Sequence, residues 1–111
     1  MARVSYQAAP AASTWTTLFT TGVSEAGVCS SIIAHNKSTT TPVQVTVYVI
    51  PTGSPRDAKY SVAYAVTLAP LSAANGHRMS LCEGIVVPAS HTVEVYATTA
   101  DVVVVANASV S

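Results

Sequence analysis

The chain is predicted to be all-β: a single-domain antiparallel β-sandwich, jelly-roll-like, with about eight strands. Three features point there. Apolar and polar residues alternate in short runs, the runs are rich in valine and threonine, and breaks containing Gly, Pro or Ser recur roughly every ten residues. No apolar stripe of helical period extends beyond about two turns, and β-branched residues dominate.

The clearest strand runs from Val43 to Ile50. Valines at 43, 45, 47 and 49 share one face and Gln44, Thr46 and Tyr48 the other, because successive side chains of a strand point to opposite sides. Val62, Tyr64, Val66 and Leu68 are expected on one face, opposite Ala63, Ala65 and Thr67. Val93, Val95 and Ala97 oppose Thr92, Glu94 and Tyr96. Val102, Val104, Ala106, Ala108 and Val110 form a last run, with Asn107 and Ser109 outward. Thr16–Thr21, Val28–Ala34, Arg78–Cys82 and Ile85–Val87 bring the count near eight. The Asn75-Gly76 pair is a tight-turn signal, since both residues tolerate positive φ. The stretch before Trp15 contains Ala8-Ala-Pro-Ala-Ala-Ser-Thr14 and lacks alternation. It is expected as an extended N-terminal arm over 1–14, separable from a β-sandwich over 15–111.

Composition narrows the function. Half of the 111 residues are hydrophobic and 9% are charged, against the ~25% charge usual for soluble domains. With a net charge of zero, such a surface has little electrostatic protection against association, which suits a subunit covered by neighbours. Arg3, Lys37, Arg56, Lys59 and Arg78 are scattered, so nothing concentrates the cations that displace phosphate counterions, and nucleic acid is not expected as a partner. No membrane association is expected either, since no segment approaches the ~20 apolar residues of a membrane span, and the start lacks an apolar core for a leader. Cys29 and Cys82 are expected as buried free thiols, with a Cys29–Cys82 bridge as the alternative.

Signals for catalysis are missing. His35, His77 and His91 stand apart, and no His-x-His pair occurs with a carboxylate beside it. His91 and Glu94 would face opposite sides of a strand. Glu25, Asp57, Glu83, Glu94 and Asp101 fall singly, and no nucleophile elbow or phosphate-binding glycine motif is present. The chain is therefore expected to be no enzyme, with no cofactor and no metal. The aromatics Tyr6, Trp15, Tyr48 and Tyr96 are the interface candidates: Tyr48 and Tyr96 lie opposite valine stripes, while Tyr6 and Trp15 flank the expected arm. Core packing of these rings, or a sugar-binding face that Tyr60 and Tyr64 could share, are the competing readings.

Several segments together resemble small β-sandwich virion proteins of tailed bacteriophages. They are Leu18-Phe-Thr-Thr-Gly22, Cys29-Ser-Ser-Ile-Ile-Ala-His-Asn36, Val45-Thr-Val-Tyr-Val-Ile-Pro51, Glu83-Gly-Ile-Val-Val-Pro88 and Thr98-Thr-Ala-Asp-Val102. Within that group the chain is similar to capsid decoration (staple, or cement) proteins of epsilon15-like short-tailed phages. The resemblance implies a jelly-roll subunit made in the host cytoplasm and carried on the capsid surface. There it would clamp neighbouring major capsid proteins, as a homodimer across local two-fold axes. No catalytic or shell-contacting residue transfers. A neck, tail or fibre-attachment component fits the same resemblance, and a carbohydrate-binding module is the alternative of another class.

Overall fold

Valine-rich alternation becomes strand wherever one side chain in two can be buried. The computed structural model describes residues 2–73 and 75–110. Its strands are β1 (Ala2–Ala8), β2 (Thr14–Thr20), β3 (Gly27–Asn36), β4 (Val43–Pro51), β5 (Ser61–Leu68), β6 (Arg78–Val87), β7 (His91–Ala97) and β8 (Val102–Val110), with one 3₁₀ turn at Ala58–Tyr60. The all-β sandwich expected from the sequence is present.

The pairing is nested. β1 lies against β8, β2 against β7, β3 against β6 and β4 against β5, all antiparallel. The chain is thus one long antiparallel ribbon folded over on itself. Contacts of β3 with β8 and of β4 with β7 close it into two four-stranded sheets, ordered β1-β8-β3-β6 and β2-β7-β4-β5. This is the strand order of a jelly roll.

Between the sheets lie Ile32, Val43, Val45, Val47, Leu68, Val87, Val93, Val95, Val102 and Val104, each at most 1% exposed. Full burial of such a side chain stabilises by about 1.5–3 kcal/mol. Asn36 is the polar exception in this layer. Its amide donates to the carbonyls of Thr41 (2.9 Å), Ala69 (3.2 Å) and Leu68 (3.3 Å), and its Oδ1 accepts from the Ser38 amide at 2.9 Å. One buried side chain therefore ties the end of β3 to the β3–β4 and β5–β6 connections.

Several elements differ from the sequence expectation. Residues 2–8 do not form a free arm. They are an edge strand in register with β8 from Ala2↔Val110 to Ala8↔Val104, so the expected break after residue 14 does not separate an arm from the sandwich. The backbone gains a ladder of hydrogen bonds there, and Tyr6 and Ala8 pack against the core. Arg78–Cys82 and Ile85–Val87 are one strand, continuous through Gly84, whose φ of +65° suits glycine. The added β1 and this merger leave the count at eight.

The face expected for β5 also changes. Ala63 and Leu68 are buried, whereas Tyr64 is 62% exposed. The cause is a β-bulge: Val45 pairs with Val66 and Val47 with Ala63, so Tyr64 and Ala65 together oppose Thr46. Ala65 carries the bulge at φ +49°, and the extra residue flips the alternation on one side of it.

Candidate functional site

The sheet β2-β7-β4-β5 places aromatic side chains in one row across its outer face. Trp15 pairs with Tyr96, Tyr96 pairs with Thr46, and Thr46 faces the Tyr64–Ala65 bulge. Tyr48, two residues along β4 from Thr46, packs beneath. Its ring centroid lies 4.4 Å from that of Trp15, which is also 5.2 Å from Tyr96. These residues, with Gln44 and Thr98, line an open groove of about 420 Å³. The bulge belongs to the site, because it turns Tyr64 outward to form one wall.

A loop closes the lower end. Residues after β4 turn back over the sheet and bring Arg56 to Glu94, with Nε 3.1 Å from Oε1 and a terminal guanidinium nitrogen 2.8 Å from Oε2. The same guanidinium sits 5.1 Å above the Trp15 ring. Glu94 is buried while Arg56 is about half exposed, so the two-pronged pair holds the carboxylate in place and braces the indole. Burial, followed by the charges of Tyr64 and Asp57, raises the Tyr48 phenol above its ordinary value, with Arg56 opposing. Tyr48 thus remains a neutral donor.

Polar groups along the groove are neutral. Thr46 Oγ1 accepts from the Ala65 amide at 2.9 Å, and Thr98 Oγ1 accepts from the Gln44 amide at 3.0 Å. Neither hydroxyl donates within the chain among the described residues.

Of the four expected interface aromatics, Trp15, Tyr48 and Tyr96 come together. Tyr48 is only 6% exposed, so it supports the site and offers little surface of its own. Tyr6 belongs elsewhere: its ring stacks on Phe19 at 4.6 Å and 13°, against the core. Between outward Ser5 and Gln7, position 6 of β1 has to face in. Tyr64 lies outside the four interface candidates, and Arg56 carries no site expectation from sequence. Tyr64 depends on a bulge that alternation does not reveal, and Arg56 comes from a loop.

The opposite sheet has a different outer face. Ile33 pairs with Val105, His35 with Val103, and Val28 with Val86. Ile33, Val103 and Val105 border a shallow depression of about 550 Å³. Val28 and Val86 are exposed, and between the two apolar ends Asn107 donates to the Ser31 hydroxyl at 3.2 Å.

His35 and His77 meet edge to face, centroids 5.8 Å apart, each with a buried Nδ1 that lacks a hydrogen-bond partner among the described residues. No third ligand joins them: among the described residues no group of three His, Cys, Asp or Glu side chains is placed to hold an ion. His91 turns its Nδ1 to the Ala89 carbonyl at 2.9 Å. Cys29 and Cys82 are free thiols. Burial raises both, with Cys82 pushed up to about 12, the nearby Cys29 adding to the effect. Such thiols are poor nucleophiles. In comparison with known proteins, no family model matches the chain, and neither a curated protein nor a solved structure is significantly similar to it.

Proposed function

We propose that the chain is a structural virion protein that decorates and clamps major capsid proteins on the outside of a bacteriophage head, as a homodimer that stabilises the shell. The observation that carries this reading is the outer face of β1-β8-β3-β6. Val28, Ile33, Val86, Val103 and Val105 stand on the side of that sheet turned away from the core. A sheet face of this kind is usually covered. Arg78 and Glu83 belong to its β6 edge strand and Arg3 to its β1 edge strand, in register with Ser109, so a partner surface can approach the central strands β8 and β3 while the charges stay at the rim. The jelly-roll strand order and the resemblance of the quoted segments to phage decoration proteins add support. Each copy can bind weakly, because contacts to several linked capsid subunits add through effective concentration.

The test is attachment to heads that lack the protein. Val105→Glu and Val86→Glu point outward, so both variants should fold, as judged by circular dichroism, yet fail to co-sediment with heads. Undiminished attachment of both variants would sink this face as the contact. Quantitative mass spectrometry of particles separates the runner-up reading. Copies in the hundreds favour icosahedral decoration, whereas on the order of a dozen or fewer favour a neck, tail or fibre-attachment position.

A further inference from the structure

The other sheet carries a second, chemically different surface. We infer that the groove between Trp15, Tyr64 and Tyr96 is a binding site for a neutral saccharide. This goes beyond the proposed attachment to a shell and uses the opposite face of the molecule.

A sugar ring offers two kinds of surface at once: faces of C–H groups, and a rim of hydroxyls that both donate and accept. A site for it therefore needs aromatic walls together with neutral polar groups that are not already committed. The groove has both. Trp15, Tyr64 and Tyr96 form its walls, and no charged side chain lines it. Its volume of about 420 Å³ falls within the ~300–1,000 Å³ of small-ligand clefts.

Hydrogen bonding supplies the second, independent observation. Thr46 is 8% exposed, and its oxygen is taken by the Ala65 amide. Its hydroxyl hydrogen then has no acceptor in the chain among the described residues, although the side chain lines the groove. Thr98 repeats this arrangement with the Gln44 amide, and the Gln44 side chain makes no hydrogen bond among the described residues. Thr98 and Gln44 are exposed, but a buried donor such as the Thr46 hydroxyl ordinarily finds a partner. An acceptor-rich, uncharged ligand supplies one. An anionic glycan finds no cation inside the groove, since Arg56 is engaged by Glu94 outside it. A proline-rich peptide would use the rings but leave most of the hydroxyls and the amide unanswered.

The site is also held in shape before any ligand arrives. Arg56 and Tyr48 brace Trp15, and the bulge at Ala65 fixes Tyr64. Little ordering is then needed on binding, which favours a shallow site.

Trp15 is the single tryptophan, so its fluorescence reports directly on the groove. The full-length protein should be titrated with maltohexaose, cellohexaose, laminarihexaose, mannohexaose and chitohexaose, and with hyaluronan fragments and a polyproline peptide as contrasts. Saturable quenching by at least one neutral oligosaccharide at up to about 1 mM is the expected result. Tyr64→Ala, at an exposed position, should weaken that binding about tenfold, the effect of one aromatic contact, without lowering Tm. Thr98→Val should weaken it too. No response to any neutral oligosaccharide overturns the inference, and so does a response confined to hyaluronan or polyproline. So does quenching that survives Tyr64→Ala unchanged. No capsid is present in this experiment, so its failure leaves the attachment reading untouched, and loss of head binding by Val105→Glu leaves the groove intact.

Discussion

Asn36 concentrates more structural consequence than any other polar residue of the interior. Its side chain answers three carbonyls and one amide from two segments, the β3–β4 connection and the end of β5. Truncation to alanine strands those groups in a dry layer. Asn36→Ala should destabilise by about 2–3 kcal/mol, lowering Tm by roughly 10 °C, and a loss below about 0.5 kcal/mol in urea denaturation would refute the assignment. At Arg56 the geometry of the cation matters. Lysine keeps the charge but cannot grip both Glu94 oxygens or lie flat on the indole. Arg56→Lys should therefore lose about 1 kcal/mol and shift Trp15 emission, with Arg56→Ala worse on both counts. Cys82 sets an alkaline limit. In the unfolded chain its thiol ionises around its ordinary 9.0, but in the folded chain only near 12. Above the lower value the unfolded state releases a proton that the folded state keeps. Stability from this group is thus whole below about pH 9 and falls as pH rises towards 12. Urea midpoints of wild type and Cys82→Val should diverge across that interval; parallel curves would contradict it.

At the scale of elements, β1 is where residues and structure part company. The Ala/Pro/Ser run over residues 8–14 masks a short alternation just before it, in which Val4, Tyr6 and Ala8 interleave with Arg3, Ser5 and Gln7, too brief to mark residues 2–8 as a strand by itself. The pairing is imposed by β8, which lies at the other end of the sequence (Ala2 pairs with Val110 and Ala8 with Val104) and needs a partner on its free side. Deleting residues 1–8 exposes one edge of β8 and uncovers Phe19. It should lower Tm by several degrees and promote self-association, measurable by calorimetry and light scattering. A truncated protein as stable as the full chain would restore the dispensable arm. The central strands were legible for the opposite reason. In β4 the valines at 43, 45 and 47 are buried as alternation requires, because a strand paired on both sides has one dry face fixed by its neighbours. Tyr48 shows the limit of that rule. It lies on the outer face as expected, yet Trp15 covers it. The groove was half visible in the sequence: Trp15, Tyr48 and Tyr96 could be placed on one side, but the bulge that recruits Tyr64 leaves no trace in hydrophobic pattern.

On the scale of the whole molecule, nested pairing means that the outermost contacts join the two ends of the chain. Ala2 is the partner of Val110, so closing β1 on β8 closes the longest loop available. Folding should be slow for a chain of this length, in the range of milliseconds to seconds, and stopped-flow refolding followed by Trp15 would measure it. The two sheets also divide the surface by chemistry. One outer face offers aliphatic side chains and the other an aromatic groove with free hydroxyls, so a molecule held by the first leaves the second open. The pairing of first and last strands has one more outcome. Ala2 and Val110 stand side by side at one corner, so a short splice between the first and last strands would join them into a circle. New ends could then be cut in the exposed turn at Gly53, and a passenger fused there would project from the tip of the β4–β5 connection, at the same end of the sandwich as the splice.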